Sequence, residues 1–212
     1  MKSQVRGGTR WKRFAVVMVP SLAATAAVGI GLAQGALAAS FSVSGQSFKV
    51  SADKLVGKDF VQYGSYTNGY DLKGKEAHHP VAVSGFRSAT ITNMCQSVVT
   101  PDVPFIGSVS LNLTAGTGDT PVTAKNLYLD VADLDADATF TNIDIGVAAK
   151  DADKGPGIQP GTEKNVNPYG FAQQAEEAVL TNVEQRAWAT TAGTFNLSNL
   201  SLRLHKGVKE CY

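Results

Sequence analysis

The stretch Pro121–Val147, PVTAKNLYLDVADLDADATFTNIDIGV, decides the fold. Its apolar residues keep to alternate positions. Leu127, Leu129 and Val131 share one parity, Leu134, Ala136, Ala138 and Phe140 take the other, and Ile143, Ile145 and Val147 return to the first. Successive side chains of a strand point to opposite faces, so this period of two predicts β-structure with one buried and one wet face. Each change of parity turns the apolar set to the wrong side unless an extra residue is inserted. Asp133 and the pair Thr141-Asn142 stand at the two changes and are the expected bulge or turn positions.

Similar alternation surrounds this block. Phe41, Val43, Phe48 and Val50 read as a first strand broken at Gly45. VAVSGF from Val81, SATITNMC, QSVVT and Ile106–Thr114 read as further strands, with Pro101 and Pro104 as breakers and Gly116, Gly118 and Asp119 forming a turn. Residues 57–80 lack sustained periodicity and predict mostly loop, with a short strand at Phe60-Val61-Gln62. The polar run after Val147, with its Pro and Gly between 155 and 170, predicts an exposed loop. Phe171–Val179, FAQQAEEAV, is the one helix candidate, on Ala and Glu propensity. Near the end, Phe195 and Leu197 take one parity and Leu200, Leu202 and Leu204 the other. The pattern Asn-(Leu/Ile)-x-(Leu/Ile) occurs at Asn126, Asn142 and Asn199 without an even period, so it reads as strands entered from Asn turns rather than as a solenoid repeat. The expected fold class is all-β: about eight to ten antiparallel strands in a sandwich or a curved, folded-over sheet.

The charges are unevenly placed. Lys2, Arg6, Arg10, Lys12 and Arg13 crowd the start, and no charged residue follows until Lys49. A basic start, an apolar Ala/Gly-rich run and the small residues Ala36-Leu37-Ala38 predict a Sec-type secretory signal over residues 1–38, cleaved after Ala38 or kept as a membrane anchor helix. A single exported domain over 39–212 is then expected, outside the cell or on its envelope. Residues 1–38 hold five of the 19 Lys+Arg and none of the 18 Asp+Glu, so the remaining 174 residues carry a net charge of −4. That balance gives no electrostatic reason to seek nucleic acid.

Cys95 and Cys211 are the only cysteines, and in an exported chain they predict one disulfide. Two lone Cys without CxxC spacing make a poor zinc site. Candidate chemistry is sparse, and no cofactor is expected. His78 and His79 lie beside Pro80 with Glu76 nearby, and His205 stands alone; a hydrolase would need one of these, yet no G-x-S-x-G elbow is present. Asp133, Asp135 and Asp137 fit the wet face of a strand better than a calcium loop. Asp151 and Asp153, in the polar loop, are weak metal candidates. Tyr63, Tyr66 and Tyr70 among Gly, Ser and Asn suggest an adaptable ligand-contact loop.

Three segments carry a resemblance: NMCQSVVTPDVPFIGSVSLNLTAG around Cys95, the central block, and RAWATTAGTFNLSNLSLRL with the closing ECY. With the export signal, they resemble an exported actinobacterial family of unknown function whose members are often labelled cholesterol esterase. The resemblance implies the cell envelope or exterior as location and carries no active-site motif onto this chain. The expected function is an envelope-associated binding or structural protein, with a lipid or another apolar ligand, or an envelope component, as partner. The alternative is a secreted lipid-ester hydrolase using a Ser with His205 or His79 and an Asp from the central block. A third reading is an assembly subunit that pairs through open strand edges.

Overall fold

The computed structural model describes residues 44–212, so the expected signal or anchor segment lies outside the described residues. Eight strands are present among them: β1 Phe48–Tyr70, β2 Glu76–Thr92, β3 Met94–Val103, β4 Gly107–Ala115, β5 Val122–Thr141, β6 Asp144–Ala148, β7 Phe171–Asn196 and β8 Ser201–Lys206. They form one antiparallel sheet in the order β6-β7-β5-β2-β1-β3-β4-β8, and β7 also pairs with β1. The all-β expectation holds, in its folded-over form.

Several strands continue one another. Lys54 faces Thr92 of β2, and three residues on, Ser51 faces Cys95 of β3. Thr141 of β5 faces Glu177, and three residues on, Asp144 of β6 faces Gln174. The central block is therefore one long line along β7, as its alternation predicts. Its register shifts fall on either side of Val131 and between Asp135 and Asp137, bracketing Asp133, and Asn142 makes the break before β6.

The β1–β7 ladder closes β1, β2, β5 and β7 into a ring. Stepping across the pairs from Phe48 to Ala187, Val131, Ala82 and Gly64 returns to β1 at position 64, 16 residues beyond the start at 48. Four upright strands would enclose almost nothing, because barrel width grows with strand number. A stagger this large tilts the strands steeply and widens the ring, and it demands strands as long as β1 and β7. Inside lie Leu55, Phe60, Phe86, Ile91, Leu127 and Leu180, all buried. Gly57 is part of this packing: a Cβ there would sit 2.1 Å from the Phe86 ring.

Left-handed backbone marks the bends. Asp59, Asn93, Asn126, Asn142, Asn182 and Asn199 all have φ between 48° and 55°. Asn and Asp tolerate this conformation better than other side chains. The flanking pairs place Asp59 and Asn126 on either side of Arg87, and place Asn93 and Asn182 on either side of Asp53. The bends thus line up across neighbouring strands, and the sheet creases along those lines. The three Asn of the short recurring pattern are creases of this kind, two of them joining strands and Asn126 lying within β5.

Three local expectations are corrected. Residues 57–80 are not mostly loop: all but 71–75 belong to β1 and β2. Their polar side chains alternate as strand residues do, and the positive φ at Asp59 interrupts the parity that would have revealed it. Phe171–Val179 is not helical but is the start of β7, because pairing to β1 on one side and to β5 and β6 on the other outweighs the weak preference of Ala and Glu. The segment between β6 and β7 is not simply exposed. With two short 3-10 turns, Ala149–Asp151 and Glu163–Asn165, it packs on the outer face of the ring and buries Ala149, Gln159 and Val166.

Beyond the ring, β3, β4 and β8 extend as a wing. On one face Leu200, Leu202 and Leu204 are exposed rather than buried. The other is crossed by the chain end: the Lys209 N–H donates to Ser110 Oγ (2.8 Å), the Cys211 N–H to Ser97 Oγ (3.0 Å), and Glu210 pairs with Lys49 (3.1 Å). Cys95 and Cys211, 116 residues apart, are joined as expected. This strap ties β4, β3 and β1 together.

Two outcomes follow for stability. Cys211→Ser should lower unfolding free energy by about 2–5 kcal/mol, from chain entropy regained by the unfolded state, and urea unfolding measures it. Asn126→Val should cost about 1–2 kcal/mol and Asn126→Gly far less; equal losses would show that Asn126 matters through its side chain, not its backbone.

Candidate functional site

The ring is not filled. A cavity of about 210 Å³ lies inside it, walled by Leu55, Phe60, Phe86, Leu129, Phe140 and Leu180. Phe60 sits between Phe86 and Phe140, with both ring-centroid distances at 5.3 Å. The cavity reaches Leu134, Ala136 and Ala138, where β5 runs past the end of its ladder with β2 at Val131 and its inner face is partly exposed.

Four uncharged polar residues also line it: Gln62 on β1, Ser84 on β2, and Gln173 and Gln185 on β7. Three form a chain. The Gln173 amide donates to Gln62 Oε1 (2.6 Å), and the Gln62 amide donates to Ser84 Oγ (2.9 Å). Gln185, 5 % exposed, faces Leu134 and Val50 across the ladders and has no side-chain partner among the described residues. Among the described residues no charged one lines the space. This set was not singled out from the sequence. Its signal was polar residues on apolar parities: Gln62 after Phe60, Ser84 before Phe86, Gln185 after Val183. Reading 171–179 as helix hid Gln173.

The residues that sequence did single out lie elsewhere. Tyr63, Tyr66 and Tyr70 sit on β1, not on a loop. Tyr63 is buried on the outer face, and its hydroxyl oxygen accepts the Gln159 N–H at 2.8 Å. Burial pushes its ionisation well above the usual phenol range. Tyr66 packs edge-on to His78, and Tyr70 lines a shallow hollow of about 170 Å³ with Asn68 and Glu76. Asp151 pairs with Lys150 (2.7 Å), whereas Asp153 accepts from the Gln174 amide (3.2 Å). The described residues hold no group of three His, Cys, Asp or Glu placed to bind a metal. Asp133, Asp135 and Asp137 are exposed, and Asp133 pairs with Arg186.

The histidines are separated. His79, on β2, stacks on Trp188 at 3.5 Å, and its buried Nε2 has no partner among the described residues. His205, on β8, lies opposite Ser110, whose hydroxyl instead donates to the Gly207 carbonyl (2.7 Å). Among the described residues no serine hydroxyl is hydrogen-bonded to a histidine, so the parts of a hydrolase triad are not brought together.

On the outer face, residues 149–170 cover a second cluster that includes Val61, Tyr63, Val83 and Tyr128. Arg87 donates to the Gly155 carbonyl (2.8 Å), and the Tyr128 hydroxyl donates to the Pro156 carbonyl (3.3 Å). Asp130 lies between Val83 and Ala189 on this face. Burial raises its carboxyl from 3.8 to about 6.

Fold and cavity together define a class: a small antiparallel sheet rolled into a ring around an uncharged, mostly apolar space. A family model described as a family of unknown function, DUF6230, matches residues 44–212, and the chain belongs to that family. No curated protein and no solved structure matches it.

Asp130 generates a pH dependence. Its folded-state pKa of about 6 exceeds the ordinary 3.8, so the folded state holds the proton more tightly. The resulting stability is present below about pH 4 and is lost as pH rises through about 6. Asp130→Asn should therefore stabilise the protein at pH 7, by on the order of 1–3 kcal/mol, with little effect at pH 4. Thermal unfolding at both pH values checks this, and a loss at pH 7 would contradict it.

Proposed function

We propose that this protein is an exported, envelope-associated binding protein that holds a small apolar ligand inside its rolled sheet. The cavity carries the reading. A well-packed interior leaves few voids larger than a water molecule. An enclosed apolar space of roughly 150 Å³ accepts a benzene-sized molecule. At about 210 Å³, this one suits a single ring, a short chain or the end of a longer lipid leaving between Leu134 and Ala138. A whole sterol ester is far larger. The basic-then-apolar start of the chain and the joined Cys95–Cys211 pair support the exported setting.

Binding only to the folded state raises stability as ligand concentration rises above Kd. Toluene should therefore raise the melting temperature of the 39–212 domain in a saturable way, and Ala136→Trp, which fills the space, should abolish the shift. No response to toluene up to its solubility limit would sink the reading. Turnover of a short-chain nitrophenyl ester, lost in a His79→Ala/His205→Ala double variant, would instead support the hydrolase.

A further inference from the structure

The polar groups inside the cavity say more than its size. Resting on the binding reading above, we propose that the natural ligand is an uncharged amphiphile whose single polar group both donates and accepts hydrogen bonds, such as an alcohol or a primary amide, and that Gln185 and Ser84 receive that group.

Gln185 is the first observation. It is 5 % exposed, lines the cavity and has no side-chain hydrogen bond among the described residues. Its amide atoms are not among the fully buried unpaired ones but open onto the cavity, so an apolar ligand that displaces water from them forfeits hydrogen bonds at a cost. A ligand group that accepts from its N–H and donates to its carbonyl removes that cost. Ser84 is the second. Its oxygen already accepts from Gln62, and Gln62 is held by Gln173. The chain orients the Ser84 hydroxyl and leaves its hydrogen without an acceptor among the described residues, free for the ligand.

The third observation is what the wall lacks. None of the described residues that form it is charged. A carboxylate, phosphate or ammonium would enter without a counter-charge, which apolar surroundings strongly oppose. Fatty-acid anions and phospholipid head groups are therefore excluded from this space, whereas neutral alcohols and amides fit. A site with polar groups placed for one ligand group binds analogues that lack it more weakly, because its own polar groups then lose their partners.

The test compares four single-ring probes, toluene, benzyl alcohol, benzoate and benzylammonium, by calorimetric titration at pH 7. The wild-type 39–212 domain should bind toluene and benzyl alcohol, and bind both ions at least a hundredfold more weakly than the alcohol. Gln185→Leu should bind toluene more tightly and benzyl alcohol more weakly, shifting their affinity ratio roughly tenfold. Ser84→Ala should shift it the same way. Retained toluene binding shows that each variant is folded. If toluene binds but the ratio is unchanged in both variants, or benzoate binds as well as benzyl alcohol, this inference falls while the apolar-ligand reading stands. If the wild type binds none of the four, both fall.

Discussion

The pairing of β1 with β7 is the constraint on which the rest depends. It runs from Phe48 opposite Ala187 to Tyr63 opposite Ala172 and joins strands distant in sequence. Without it the sheet is open, with two long unpaired edges, and the residues that now face inward would line a solvent-exposed surface. With it, the hydrogen bonds of both edges are satisfied over that length, as ring closure does for any sheet. Closure also sets a dimension. A ring of four strands has an interior only because the stagger around it is large, and the stagger is possible only because β1 and β7 are long.

Long strands do not curl evenly on their own, and the creases supply the curl. Asp59, Asn93, Asn126 and Asn182 adopt left-handed backbone at positions that line up across the sheet. Each adds local twist where its neighbour does the same, so the bends reinforce one another. The strap from Gly207 to Tyr212 works at the other end. Buried Ser97 and Ser110 bind its backbone, and the Cys95–Cys211 bond anchors it. It is the chain's alternative to rolling the wing as well, and it leaves the leucines of β8 on the uncovered side.

The two faces of the ring are treated differently. The outer face is sealed by residues 149–170. Gly155 permits this, since a Cβ there would lie 2.6 Å from Val61 Cβ. The inner face is left incompletely filled and lined in part by amides and a hydroxyl. Filling it with Leu or Phe would gain burial free energy of about 1.5–3 kcal/mol per side chain. That the space is kept, and kept polar at Gln62, Ser84, Gln173 and Gln185, is why the interior rather than the tyrosines of β1 is the candidate site. Those tyrosines were legible as aromatic residues amid small ones, but their chemistry is used in packing and edge contacts.

The sequence by itself determined the β character of the chain, the extent of its central strand, two of the points where that strand breaks parity (though not the crease at Asn126) and the identity of the disulfide. All four follow from local rules: a period of two along a strand, an extra residue at each slip, and only two cysteines to join. What tertiary structure alone decided was which strands lie side by side. The AQQAEE of β7 and the Gly-Tyr-Asn stretch of β1 carry little local preference and become strands because each finds partners far along the chain. The cavity exists only through that long-range closure, for an inward-facing glutamine looks like any polar residue until the opposite wall is in place.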